Sequence, residues 1–142
     1  MKPASDKPEI YNYQCQSMVR VNYSQIDRMD FVYYANYLVW FEIGRTDFLR
    51  EQGLNYKDVE DKGILLPVIR SECNYISPAR YDDVLIIKTK INEIKKASMS
   101  FEYEVIRQAD NKLIANGLTK HVFLDKNGKI LRIGEDLFNN LH

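Results

Sequence analysis

Residues 35–52, ANYLVWFEIGRTDFLREQ, decide the fold, because they are the one long stretch of this chain patterned as a helix. Leu38, Phe41, Arg45, Phe48 and Leu49 recur at spacings of three and four, while Glu42, Asp47, Arg50 and Glu51 are spread elsewhere. That spacing gathers one apolar face, and Gly53 follows as the residue that ends the helix in a left-handed conformation. Gly44 lies in mid-helix, where glycine costs about 1 kcal/mol against alanine. Close packing on another backbone is expected to offset that cost.

Outward from this helix the period changes to two. Upstream, Tyr11, Tyr13, Cys15, Ser17, Val19 and Val21 share one parity and Asn12, Gln14, Gln16 and Arg20 the other, which predicts a strand over residues 11–21. Downstream, residues 56–62 are expected to add a turn or two of helix. Strands are predicted over 64–77, with Pro67 marking a bulge or an edge position, and over 84–93, 97–108 and 113–124. SPARYDD (77–83), ADNK (109–112) and DKNGK (125–129) are the reversals, the last with an Asn-Gly pair, and a short helix closes residues 135–141. One apolar, aromatic helix among five strands has no second helical layer to cover a flat sheet, so the sheet must curl round it. The class is α+β, a single domain over residues 10–142, with residues 1–9 as a loose leader.

At 142 residues the chain is long enough for one real core. Twenty basic and twenty acidic residues give zero formal net charge, so no general basic field exists to hold nucleic acid. Apolar runs such as Val84–Ile87 fall far short of the roughly 20 residues that span a bilayer. The N-terminus has no apolar signal-peptide core, which points to a cytoplasmic protein with no membrane insertion. Cys15 and Cys73 lie in strand-like segments as small hydrophobes, and His121 and His142 do not make a metal site. Neither a metal nor another cofactor is expected.

Between the first strand and the helix stands SQIDRMDFVYYANY, residues 24–37. On spacing alone, Asp27 reads equally as a turn or capping residue and Asp30 as a helix cap. The stretch VNYSQIDRMDFVYYANYLVWFEIGR, followed later by SPARYDDVLIIKTKI, resembles the hot-dog acyl-CoA thioesterases of the 4-hydroxybenzoyl-CoA thioesterase family, in particular the short bacterial branch associated with the Tol-Pal gene cluster. The family motif runs roughly D-x-D-x-x-G-x-V-Y-x-x-N-Y, then F-E-x-x-R. Asp27 falls on the second acid, Val32 and Tyr33 on V-Y, Asn36 and Tyr37 on N-Y, and Phe41, Glu42 and Arg45 on F-E-x-x-R. Gln25 replaces the first acid, and Met29 and Asp30 stand where the family has glycine; these departures bear on the loop path and channel width more than on the chemistry.

The resemblance implies a five-stranded antiparallel sheet wrapped around one long central helix, and hydrolysis of an acyl-CoA. It implies Asp27 as the catalytic acid and the Tyr34 amide as oxyanion donor. Glu42 and Tyr33 become candidates for the substrate pocket, and Lys95 and Lys96 for the CoA phosphates. Tyr81, Asp82 and Asp83 match a structural turn. Thioester hydrolysis needs a carboxylate acting as nucleophile or as general base on water, and donors aimed at the developing oxyanion, which a helix N-terminus supplies. Each candidate also has a plainer reading: Glu42 in a surface salt bridge, the lysines as a solvated turn, Tyr33, Tyr37, Trp40 and Phe41 as core. Unpaired sheet edges suggest a homodimer or homotetramer. A non-catalytic acyl-thioester binding module and a hydrolase acting on acyl carrier protein are the alternatives. Within acyl-CoA hydrolysis, the expected acyl group is short to medium in length or aromatic.

Overall fold

The computed structural model describes residues 9–54 and 56–138. In chain order it forms β1 (Gln14–Arg20), α1 (Asn36–Glu51), α2 (Tyr56–Asp61), β2 (Val68–Tyr75), β3 (Val84–Ile94), β4 (Ser98–Arg107), β5 (Lys112–Val122) and α3 (Gly134–Leu137). The five strands make one antiparallel sheet in the order β1-β3-β4-β5-β2, so β1 and β2 are its edges. Glu9 opens a 3-10 turn over Glu9–Asn12 that buries Ile10. The rest of the expected leader, residues 1–8, lies outside the described residues, as do 139–141 of the expected last helix and His142.

The inward parity of the strands is the one the alternation demanded. Met99, Phe101, Tyr103 and Val105 of β4 are buried, with Leu85, Ile87 and Ile91 of β3 and Cys15 of β1 beside them. Each large apolar side chain so buried contributes roughly 1.5–3 kcal/mol relative to exposure. Pro67 precedes β2, which is an edge strand whose register shifts between Val68 and Arg70, so both meanings of that proline are realised.

Helix α1 presents Tyr37, Trp40, Phe41, Gly44, Arg45, Phe48 and Leu49 to the sheet. Leu38 does not belong to this face: it is 41% exposed, because the stripe through Tyr37, Phe41 and Gly44 turns it to the flank. Gly44 does permit a close approach, but to side chains rather than to backbone. A Cβ there would overlap Thr89 Oγ1 and stand 3.0 Å from Ile87 Cγ2. A second close approach lies on β5. Phe41 stacks on Tyr103 with ring centroids 4.4 Å apart and planes 7° apart, and its edge rests on Gly117, where a Cβ would come within 2.5 Å of Cε2.

One polar chain runs through this core. Arg45 Nη1 donates to Tyr103 Oη at 3.2 Å, and the Tyr103 and Thr119 hydroxyls are 2.5 Å apart. Thr119 Oγ1 is 2.9 Å from His121 Nε2, and His121 Nδ1 is 3.1 Å from the Leu66 carbonyl. A carbonyl can only accept, so Nδ1 carries the proton and every link then donates in one direction, ending on Leu66.

Candidate active site

The segment between β1 and α1 is a small hairpin built by its own backbone. Ile26 bridges Val32, Asp27 N–H donates to the Phe31 carbonyl at 2.8 Å, and Asp30 N–H donates to the Asp27 carbonyl at 3.1 Å. Closing so tight a turn requires one residue in the left-handed region, and Asp30 adopts it with φ 63°. Aspartate tolerates that conformation better than most residues. Asp30 thus takes a conformation open to glycine, and it serves as the turn residue and not as the helix cap. The N-cap is Ala35, with no side-chain capping bond.

The hairpin is pinned to the 77–83 turn, where Val32 N–H donates to the Ala79 carbonyl at 2.9 Å and Phe31 bridges Arg80, whose guanidinium lies 4.7 Å above the Phe31 ring. Asp27 is exposed, and its Oδ1 accepts from Met29 N–H at 2.8 Å and Phe31 N–H at 3.2 Å. Both bonds hold the carboxylate through Oδ1. Seven residues on, the Tyr34 N–H has no hydrogen-bond partner among the described residues, as expected of a helix mouth whose first amides are orphaned.

Asp27 and Tyr34 line one groove of about 290 Å³, with Phe31, Val32, Tyr37, Tyr75, Ile76, Ser77 and Pro78. Its walls are aromatic. Tyr75, on the end of β2, meets Tyr37 at 5.3 Å and Tyr34 at 6.4 Å between ring centroids, and its hydroxyl donates to the Tyr34 carbonyl at 3.4 Å. Burial pushes the Tyr37 hydroxyl up to about 12, and burial followed by the bond to Cys73 does the same at Tyr75, so both remain neutral donors at physiological pH.

The other candidates are not brought to this groove within the chain. Tyr33 is 46% exposed with its ring against Tyr34, outside the lining. Glu42 is exposed on the outer side of α1 and pairs with no cation among the described residues. Lys95 and Lys96 are exposed in the β3–β4 turn, Lys95 Nζ being 3.8 Å from Glu93 Oε1. That turn is at the far end of β3 from the 77–83 turn to which the Asp27 hairpin is pinned, and the eleven residues of β3 put roughly 30 Å between the two ends. Tyr37, Trp40 and Phe41 are core, and of these only Tyr37 also lines the groove.

Sequence reasoning missed the contribution of β2 to the groove. Tyr75 shares parity with Cys73 and Ser71, so its inward direction was readable, but its meeting with α1 depends on β2 being the outer strand beside β5. Among the described residues no three His, Cys, Asp or Glu side chains cluster as metal ligands, and no helix is long and apolar enough to cross a membrane.

A five-stranded antiparallel sheet curled on one long helix, with a carboxylate hairpin at the helix mouth, defines the hot-dog class. The chain belongs to the thioesterase-like superfamily, whose family model matches residues 21–141. YneP of Bacillus subtilis, provisionally named an acyl-CoA thioesterase, is 33% identical over 108 residues, 76% of this chain and 78% of that protein. The acyl-CoA thioester hydrolase YbgC of Escherichia coli O157:H7 is 31% identical over 96 residues, 68% of this chain and 71% of its own. The crystal structure of a hypothetical protein from Thermus thermophilus superimposes with a TM-score of 0.82 at 31% identity, covering 89% of this chain and 96% of that one.

Proposed function

We infer that the protein hydrolyses acyl-CoA thioesters to a free acid and CoA, with Asp27 as the catalytic carboxylate and the Tyr34 amide as oxyanion donor. The observation that carries this reading is the pairing, across one groove, of an exposed carboxylate held by two amides and a helix-mouth N–H without a partner. Asp27 Oδ2 either takes a proton from a water whose oxygen attacks the thioester carbon, or attacks that carbon itself to give an anhydride that water then cleaves. In both routes negative charge develops on the carbonyl oxygen, where the Tyr34 N–H and the positive end of α1 stabilise it, and collapse expels the CoA thiolate. A groove of about 290 Å³, at the small end of ligand sites and walled by tyrosines, suits a short to medium or an aromatic acyl group.

The reading includes a second copy of the chain. Strand β2 is an unpaired edge with Val68, Ile69, Tyr75 and Ile76 each about half exposed, a surface that association would cover. A two-fold axis beside β2 would run the two edges antiparallel, bringing the lysine turn of one copy toward the Asp27 end of the other. Lys95 and Lys96 then take the CoA phosphates across the interface. A homodimer is the smallest such assembly and a tetramer of stacked dimers the next.

The test is CoA release from a panel of short, medium, long and aromatic acyl-CoAs, using wild type beside Asp27→Asn and the double variant Lys95→Glu with Lys96→Glu. The expected result is turnover by wild type, a loss of about a hundredfold or more in kcat for Asp27→Asn, and a raised KM for the lysine variant. Binding without turnover in wild type would replace this reading with a non-catalytic acyl-thioester module, and turnover of acyl carrier protein thioesters alone would change the carrier.

A further inference from the structure

The carboxylate hairpin and the oxyanion amide belong to separate local structures, the β1–α1 hairpin and the turn that leads into α1, yet the chemistry requires them at a fixed separation. One side chain joins the two. Asn36, the first residue of α1, donates from Nδ2 to the Gln25 carbonyl at 3.0 Å, and the same carbonyl accepts from the Tyr33 N–H at 2.8 Å. Asn36 is half-buried, so this bond is partly shielded from water. Gln25 is itself held from behind, its N–H donating to the Asn22 carbonyl at 3.0 Å and its Oε1 accepting from the Asn22 N–H at 2.8 Å.

The loop closed by the Asn36–Gln25 bond contains both Asp27 and Tyr34. With the Asn36 side chain cut back to a methyl group, the chain would keep the hairpin bonds of Asp27 and the helix, but the helix mouth would be tied to the hairpin by the Tyr33 amide alone. A two-point attachment fixes an angle that a one-point attachment leaves free.

We propose that Asn36 is a positioning residue, whose side-chain amide sets the distance and angle between the Asp27 carboxylate and the Tyr34 N–H. This rests on the reading of those two groups as the reacting pair. Asn36 touches neither substrate nor reacting atom, and it acts through the Gln25 carbonyl.

Two variants test it. Asn36→Ala is expected to lower kcat about 10- to 100-fold, the scale set by an ångström of misplacement, with KM changed less than about threefold. Asn36→Asp keeps the shape and suits a helix N-terminus, so it folds, but its carboxylate has no proton to give to the Gln25 carbonyl until it is protonated. Its kcat, as a ratio to wild type at each pH, is expected to be depressed at pH 8 and to climb as the pH falls toward 5. Taking the ratio cancels any titration the two enzymes share.

A ratio that stays flat with pH, or an Asn36→Ala enzyme with wild-type kcat, overturns the proposal while leaving the thioesterase reading intact, provided that Asp27→Asn is inactive in the same assay. If wild type turns over no acyl-CoA, the thioesterase reading has failed, and the positioning claim is decided by amide NMR of the free protein. Displaced Asp27 and Tyr34 signals in Asn36→Ala support it, and unmoved signals overturn it.

Discussion

His121 is expected to make this protein acid-sensitive by an amount its surroundings allow to be worked out. Burial, followed by the charge of Arg45, lowers its pKa from the ordinary value of 6.5 to about 4. The hydrogen-bond chain explains the direction. With Nδ1–H given to Leu66, neutral Nε2 accepts from Thr119, whereas a proton on Nε2 would set two donors against each other and force the Thr119 hydroxyl to turn round. Because the folded value lies below the unfolded one, the unfolded chain binds more protons between pH 6.5 and 4. The contribution is therefore present in full above pH 6.5 and lost as the pH falls through that window. At 1.36 kcal/mol per unit the loss is about 2 kcal/mol at pH 5 and about 3 kcal/mol near pH 4. Urea unfolding at fixed protein concentration from pH 8 to 4.5, with His121→Gln as the non-titrating control, isolates this term from the carboxylates. A stability difference between the two proteins that stays constant from pH 8 to 5 would refute the reasoning.

Three further substitutions probe the helix–sheet contact and the hairpin. Thr89 Oγ1 is buried without a hydrogen-bond partner, so Thr89→Val, which keeps the shape and removes the hydroxyl, is expected to raise stability by about 1 kcal/mol in urea; a loss would show that the hydroxyl is satisfied in solution. Asp30→Gly relieves a left-handed aspartate, offset in part by glycine's freedom in the unfolded chain, and is expected to add up to about 1 kcal/mol with unchanged kcat. A fall in kcat there would give the Asp30 side chain a part in the site. Gly117→Ala drives a methyl into the Phe41 ring and the Glu72 carbonyl and is expected to cost about 1–3 kcal/mol by thermal denaturation, whereas a neutral result would mean that Phe41 can move aside.

The elements themselves were legible because β1, β3, β4 and β5 largely alternate and α1 alone carries the three-to-four spacing, whereas β2, exposed along most of its length, is shorter than the strand expected over 64–77. The placement of β2 beside β5 was not legible, since it depends on a crossover that no local pattern records. That one pairing explains a difference between expectation and structure. It brings Tyr75 to the helix mouth, where sequence named no residue from the second strand. The motif pointed to Asp27 and Tyr34, which line one groove, and the turn conformation of Asp30 follows from a backbone angle that a residue name does not disclose. Glu42 and Tyr33 are exposed and lie outside the lining of the groove within one chain.

The contact of Phe41 with Tyr103 and Gly117 separates the determinants of selectivity from those of folding. α1 meets the sheet there without clearance for a methyl group, so on the proposed thioesterase reading the acyl group is received at the groove on the flank of the helix. The wall it meets is the hairpin, the helix mouth and the last residues of β2, and of these only Tyr37 and Val32 also belong to the buried core. Exchange of Phe31, Tyr34, Tyr75 or Ile76 can therefore reshape the receiving wall while the aromatic stack that holds helix to sheet stays untouched, which leaves this scaffold free to change its acyl preference without first becoming less stable.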